Sequence, residues 1–314
     1  ACVAGDAWLL EPGGEARNLT EGMIASIGWL AWSPDSGELQ AIGHERGGTG
    51  IYRIRVADGE RSSLWWRQAA VSVANWPRFS RAENGDVALV LEDAENPLDV
   101  WIGRPADSAL DWTQLTNLHP QSADIEIGET DVHEWMGADG EEMQGLLIKP
   151  VGYEVGKRYP LVMSVHGGPS GVSGSRFYAA SGWAQLMASE GYAVFMPNYR
   201  GSVGWGRKFS ESNLGDMGGK DFEDMMLGID SLIGAGIADA DRLALSGWSY
   251  GGFIAAWAVS QTDRFRTVVM GAGISHWLSF HGKSCLPAWD QLYYQASPYE
   301  AEGRYTRFSP LSYY

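Results

Sequence analysis

Cysteine is almost absent from this 314-residue chain: Cys2 and Cys285 are the only two. Thiols so far apart make neither a disulfide framework nor a cysteine metal cluster, and they are compatible with a reducing compartment. Positive charge is scarce as well. Twenty-three Lys and Arg stand against 39 Asp and Glu, a formal charge of −16. Such a chain repels nucleic acid and anionic membrane, which excludes both as expected partners. No apolar run approaches the ~20 residues of a membrane-spanning helix. The first residues, "ACVAGDAWLL", have no initiator Met and no basic stretch before an apolar one. They do not read as a signal peptide, and the expected location is cytoplasmic. What is present is an ordinary globular balance, 45% hydrophobic and 20% charged, with room for two domains.

Residues 1–120 carry a loose repeat. Stretches beginning at Ala7, Ile51 and Val100 share one plan: a short strand with an aromatic near its start (Trp8, Tyr52, Trp101), a turn, and a second strand. Further β runs with Ser-Pro-Asp and Asn-Gly-Asp turns lie between them. A repeat of roughly 40–50 residues built of four strands is the pattern of β-propeller blades, with an irregular β-sandwich as the alternative. Propellers close with about 4–8 blades, and this stretch holds two or three, so it is expected to be the last blades of a longer propeller.

From residue 121 the pattern changes to strands alternating with helices. A hairpin turning at Ala138-Asp139-Gly140 is followed by "YPLVMSVHGGP", a strand ending in glycines, and then by helix, strand and helix. The last of these, "DFEDMMLGIDSLIGAG", sets Phe222, Met225, Met226, Ile229, Leu232 and Ile233 on one face, and its acidic first turn suits the helix dipole. Strand "RLALSG", helix "YGGFIAAWAVSQ" and strand "RTVVMGAG" follow. The expectation is an α/β fold, an incomplete α/β-hydrolase domain over 121–314, with a mostly parallel sheet covered on both faces.

Gly247-Trp248-Ser249-Tyr250-Gly251 falls where a strand must turn sharply into a helix. Small neighbours let the two approach, the serine hydroxyl is lifted above the sheet, and the first helix amides aim at the same point. Ser249 is thereby the nucleophile candidate and the Tyr250 N–H an oxyanion donor. "VHGGPSG" supplies a second donor in the Gly168 amide, because consecutive glycines let backbone approach a developing alkoxide. No metal or cofactor is expected: "VHEWMG" lacks the second histidine of a zinc helix, and "GSVGWG" lacks the Lys-Ser/Thr of a phosphate loop.

"HGGP", "PNYRGSVGWGRKF" and "GWSYGG", in that order behind propeller-like repeats, resemble the prolyl oligopeptidase family of serine peptidases, nearest its acylaminoacyl-peptidase and bacterial oligopeptidase branch. The likeness runs over nearly all of residues 125–314 and is weaker over 1–120. It implies cleavage of short peptides or acyl-peptides through an acyl-enzyme, with a propeller restricting entry. Some relatives carry a tyrosine where this chain has His166. The imidazole does not repeat that tyrosine's role, so the two amides are the expected oxyanion pair and His166 a substrate-side residue. The loop "ISHWLSFHG" corresponds to part of the family's specificity pocket, in which Ile274, Trp277 and Phe280 would give apolar walls; packing within a surface helix is the alternative.

A nucleophilic serine needs a base and an orienting acid, and in α/β-hydrolases the order is Ser, acid, His. After Ser249 the histidines are His276 and His281. Asp263 lies at the wrong edge of the sheet, and Asp290 follows both histidines. The expectation is that the acid and the base lie beyond the chain end, roughly 60–90 residues further on, and that this chain is an inactive fragment. A carboxylesterase, or a non-catalytic scaffold that binds peptides or partners, are the other readings. The oligomeric state is not legible.

Overall fold

The computed structural model describes residues 5–71, 76–107, 109–177 and 182–314. Cys2 lies outside them, and Cys285 is an exposed free thiol. The first part is all β. Strands β1 (Trp8–Leu9) and β2 (Arg17–Asn18) form a short antiparallel ribbon. Strands β3 (Ser26–Trp32), β4 (Glu38–Glu45), β5 (Gly48–Arg55) and β6 (Arg61–Arg67) form a four-stranded antiparallel meander. A five-stranded antiparallel sheet follows, in which β9 (Val87–Glu92) pairs with β7 (Ala70–Val71), β8 (Ser80–Arg81) and β10 (Asp99–Ala106), and β10 with β11 (Ala109–Gln114).

Turn chemistry sets the registers. In the β3–β4 hairpin Asp35 accepts the Ser33 hydroxyl at 2.6 Å and the Gly37 N–H at 3.1 Å, the Asx-type closure that a Ser-Pro-Asp-Ser-Gly run favours. The two sheets share one core, in which Ile42, Ile51 and Leu64 meet Val87, Leu89, Leu91 and Leu110. The three aromatic repeats are the hairpins β1–β2, β5–β6 and β10–β11, with Trp8, Tyr52 and Trp101 in their first strands. This is the propeller-like arrangement that the repeat implies.

The second part is a six-stranded mixed sheet. Its strands are β12 (Thr130–Met136), β13 (Glu142–Ile148), β14 (Tyr159–Val165), β15 (Ala193–Asn198), β16 (Ala238–Trp248) and β17 (Phe265–Gly271). They stand in the order β12-β13-β15-β14-β16-β17. The β12–β13 hairpin is antiparallel, and β15, β14, β16 and β17 run parallel. Alternation divides β13 and β15 between two faces. Leu146, Ile148, Val194 and Met196 pack under α1 (Trp183–Ser189), while Leu147 and Phe195 face the larger core with α3 (Lys220–Gly234) and α4 (Tyr250–Gln261). The apolar stripe of α3 is turned to that core as the spacing predicts, with Met225, Ile229 and Leu232 fully enclosed. Short helices α5 (Trp277–Lys283), α6 (Pro287–Tyr294) and α7 (Glu302–Arg307) close over the end of α4. Helix α2 (Arg207–Glu211) follows a loop that docks the two parts on each other: Arg46 donates its N–H to Gly204 O at 2.9 Å, and Gly206 to Ile24 O at 2.8 Å.

A buried ion pair fixes the β12–β13 turn to α3. Arg200 donates from Nε to Asp224 Oδ2 at 2.6 Å and from Nη2 to Oδ1 at 2.9 Å; it also reaches Ala138 O at 2.9 Å, while Ala138 N–H returns to Asp224 Oδ1. Both side chains are buried, so each charge depends on the other for compensation. Asp224→Ala leaves the buried guanidinium with only the longer Asp139 contact, at 3.8 Å, and is expected to lower stability by about 3–5 kcal/mol, read as an earlier midpoint in urea unfolding.

Candidate active site

The turn from β16 into α4 is the sharpest feature of the α/β part. Ser249 has φ 57° and ψ −116°, a conformation that a residue with a side chain adopts only under strain of order 1–3 kcal/mol. Three glycines explain how the surrounding backbone tolerates the turn. A methyl group at Gly247 would sit 2.1 Å from Gly251 O, one at Gly251 would sit 2.0 Å from Val165 O, and one at Gly252 would sit 2.3 Å from Gly271 O. The first turn of α4 is thus pressed directly onto β14, β16 and β17. Ser249 N–H donates to Gly271 O at 2.9 Å, and Ser249 O accepts the first helical bond, from Phe253 N–H. The amides of Tyr250, Gly251 and Gly252 are the leading amides of α4 and carry the positive end of its dipole. Ser249 itself is solvent-exposed beside the exposed indole of Trp248.

The glycine loop after β14 lies against this elbow. A methyl at Gly167 would be 3.2 Å from Ser249 Cβ and 3.7 Å from its Oγ. Gly168, the next residue, has φ +130° and a Cα that faces the Ser170 and Gly171 amides. Gly167 is therefore the loop residue packed against the serine side chain, directly before Gly168, whose amide the sequence reading takes as the second oxyanion donor.

His166 is half-exposed as a residue, but its ring is tied down on both nitrogens. Nδ1 lies 2.8 Å from Gly167 O and Nε2 lies 3.0 Å from Ser202 Oγ. Gly167 O can only accept, so in the neutral ring Nδ1–H donates to it and Nε2 faces the Ser202 hydroxyl, whose one hydrogen is shared with Tyr199 O at 2.6 Å. Enclosure of the ring pushes its pKa down to about 4, so it is neutral at physiological pH. It stacks on Tyr199 at 4.4 Å, whose hydroxyl donates to His166 O at 2.8 Å. Tyr199 in turn stacks on Tyr250 at 5.9 Å, and the Tyr250 hydroxyl donates to the buried carboxylate of Asp221 at the start of α3.

The stretch from Ile274 runs as irregular backbone to His276 and then enters helix α5 at Trp277. Trp277 has no solvent contact and packs edge-on against Phe253 at 4.9 Å, with Ile274 and Phe280 half-buried in the same cluster. The indole is a core element and not an open pocket wall, because its N–H donates to Phe308 O and its ring is enclosed by Phe280, Trp289 and Tyr294. The two histidines have other partners. His276 Nδ1 lies 2.7 Å from Ser279 Oγ, and His281 Nδ1 lies 2.8 Å from the fully buried Asp290, which also accepts the Tyr305 hydroxyl. Among the described residues no hydrogen bond reaches the Ser249 hydroxyl.

Residues 178–314 match the profile of the prolyl oligopeptidase family. The chain belongs to that family. The uncharacterized peptidase YuxL of Bacillus subtilis is 32% identical over 254 residues, 81% of this chain and 37% of that protein. The acylamino-acid-releasing enzyme of Arabidopsis thaliana is 33% identical over 51% of this chain and 22% of its own. The solved acylaminoacyl peptidase of Pyrococcus horikoshii superposes with a TM-score of 0.83 at 27% identity, over 99% of this chain and 47% of that one. The chain thus spans less than half the length of these prolyl oligopeptidase relatives. Its superposition covers the β part as well as the α/β part, so the propeller-like sheets belong to the shared architecture.

Tyr199, Ser202 and Asp221 are the residues around the elbow that sequence reading did not single out. Tyr199 and Ser202 stand in the "NYRGS" block, which carries the family likeness without declaring their contacts. Asp221 gave only an acid in a first helical turn.

Burial pushes the Asp221 carboxyl up to about 7 against the pull of hydrogen bonds from Tyr250 and Phe222. In the unfolded chain it ionises near 3.8, so between the two values the folded state holds a proton that the unfolded state has released. Its contribution to stability is therefore greatest below pH 4 and is lost as pH rises towards 7. From about pH 5 to pH 8 this group alone is expected to remove roughly 3 kcal/mol. Urea titrations across that range should show the decline, and Asp221→Asn should flatten it.

Proposed function

We propose that this chain carries the nucleophile and oxyanion site of a serine peptidase acting on short peptides or acyl-peptides. The observation that carries the reading is an exposed serine at a positive-φ strand–helix elbow, with leading helix amides on one side and a glycine loop on the other. Ser249 Oγ attacks the scissile carbonyl as a base removes its proton. The carbonyl electrons move onto oxygen, where the Tyr250 and Gly168 amides hold the oxyanion. Collapse expels the amine, which takes up the proton, and water later releases the acyl group from Ser249. The base is assigned to neither His276 nor His281, because each is bonded elsewhere. Ile274 and Phe280 border the apolar side of the site in this reading, and His166 holds the glycine loop in place. The boundary between the β part and the hydrolase part is set near residue 120, where Pro120–Asp124 forms a short turn between β11 and β12. Peptide is the substrate class supported by relatives named for peptidase activity, and esterase action or partner binding without catalysis are the outcomes that would replace it.

A fluorophosphonate, which traps an activated serine without needing a matched substrate, tests the assignment. With no base assigned among the described residues, wild type is expected to label slowly at Ser249, located by mass spectrometry of the peptide, and Ser249→Ala to abolish labelling. His276→Ala and His281→Asn, the latter keeping a donor for Asp290, are expected to leave the labelling rate within about twofold. A thousandfold fall in either would identify that histidine as the base. Hydrolysis of an acyl-peptide anilide against that of a nitrophenyl ester separates peptidase from esterase.

A further inference from the structure

One buried ionisable group next to the elbow has no part in the chemistry above. Asp221, the second residue of α3, has no solvent contact. Its Oδ1 accepts the Phe222 N–H at 2.8 Å and its Oδ2 accepts the Tyr250 hydroxyl, the pattern of an ionised carboxylate. Among the described residues it forms no salt bridge. The neighbouring Asp224 is matched by Arg200, but Asp221 has no such partner. An acid kept in a site where ionisation costs stability, and where Asn could accept the same hydroxyl, points to a use other than holding the fold.

That use lies at the far end of Tyr250. Its ring is clamped between Tyr199 and Phe253, at 5.9 Å and 5.2 Å, so the side chain is a rigid lever. One end of the lever is the hydroxyl on Asp221, and the other is the backbone that follows Ser249. On the reading that Ser249 is the nucleophile, we infer that Asp221 is a positioning residue: through the Tyr250 hydroxyl its carboxylate holds the first peptide of α4 in the orientation that stabilises negative charge at Ser249. A hydrogen bond to an ionised acceptor is roughly twice as strong as a neutral one, so the hold tightens when Asp221 loses its proton.

The groups facing Asp221 do not confuse that titration. Asp216 and Asp224 flank it from its own segment, and both act to keep it protonated. From the other elements come three phenols, Tyr250 of α4, Tyr199 after β15 and Tyr294 of α6. Burial raises all three well above the ordinary tyrosine value, so they stay neutral while Asp221 ionises.

The test is the second-order rate of Ser249 phosphonylation from about pH 5.5 to pH 8.5, in wild type, Asp221→Asn, Tyr250→Phe and the double variant. The wild-type-to-Asp221→Asn ratio cancels the titration of any base common to both. It is expected near one at the acid end, where a protonated Asp221 resembles Asn, and about fivefold or more at the alkaline end. Unfolding at the alkaline end should find Asp221→Asn no less stable than wild type, whereas a purely structural acid would lose stability and reactivity together. In the Tyr250→Phe background, adding Asp221→Asn should change the rate by less than about twofold. A ratio that does not vary with pH, or an undiminished effect of Asp221→Asn in the Tyr250→Phe background, overturns the proposal. Wild type that fails to label at Ser249 ends the nucleophile reading and takes this inference with it. Should Asp221→Asn not fold, Tyr250→Phe breaks the same link from the other end, and an unchanged alkaline rate there is equally fatal.

Discussion

The architecture of the α/β part depends on one close approach: the first turn of α4 rests on the carbonyl oxygens of the strands beneath it. Backbone-to-backbone contact at that range is open only to residues without a Cβ, which accounts for Gly247, Gly251 and Gly252 together. Ser249, between these glycines, keeps a side chain that reaches solvent and carries the strain of a positive φ. Once α4 lies that low, it is enclosed on nearly every side. Its sequence accordingly has no polar face until Ser260, and Trp277 against Phe253 and Phe308 against Trp257 cover it.

Two buried aspartates three residues apart on α3 show how differently the same helix treats charge. Asp224 is answered by a bidentate arginine and by the Ala138 N–H, so its carboxylate organises the β12–β13 turn, and its backbone oxygen accepts the Trp135 indole N–H. Asp221 is answered by one phenol and one amide and by no cation. Burial works against ionisation in both, but in Asp224 the guanidinium opposes it and in Asp221 nothing of that strength does. The first arrangement suits a joint in the fold. The second suits a group whose charge matters where it is sensed, at the foot of the nucleophile elbow.

Much of this was legible in the residues. The alternation of strands and amphipathic helices, the hairpin at Ala138–Gly140, the aromatic hairpins of the β part and the elbow at Ser249 all follow from local rules that the structure obeys. What local rules left open is how the loop glycines and Trp277 pack. Both turn on which atoms meet across the fold: Gly167 against Ser249, and Trp277 against Phe253 and Phe308. Nothing local distinguishes a tryptophan that lines a pocket from one that seals a core. The role of Asp221 was hidden for the same reason, since an acid in a first helical turn reads as a dipole partner until the tyrosine opposite it is known.

The loop from Tyr199 to Gly206 ties these features to the β part. Ser202 meets His166 and thereby the glycine loop beside Ser249, while Gly204 accepts the Arg46 N–H and donates to the Ser26 hydroxyl at 3.0 Å. Arg46 stands in the β4–β5 turn and Ser26 opens β3, so this single segment touches both the site and the neighbouring sheet. Tyr199 at its start belongs to the stack above Asp221. A displacement of the β part against the hydrolase part would therefore be felt first at His166 and Tyr199, because their contacts share a backbone segment with the docking bonds. The exposed serine is framed by α4 from below, by the glycine loop from the side, and by a segment whose position is set outside the α/β sheet altogether.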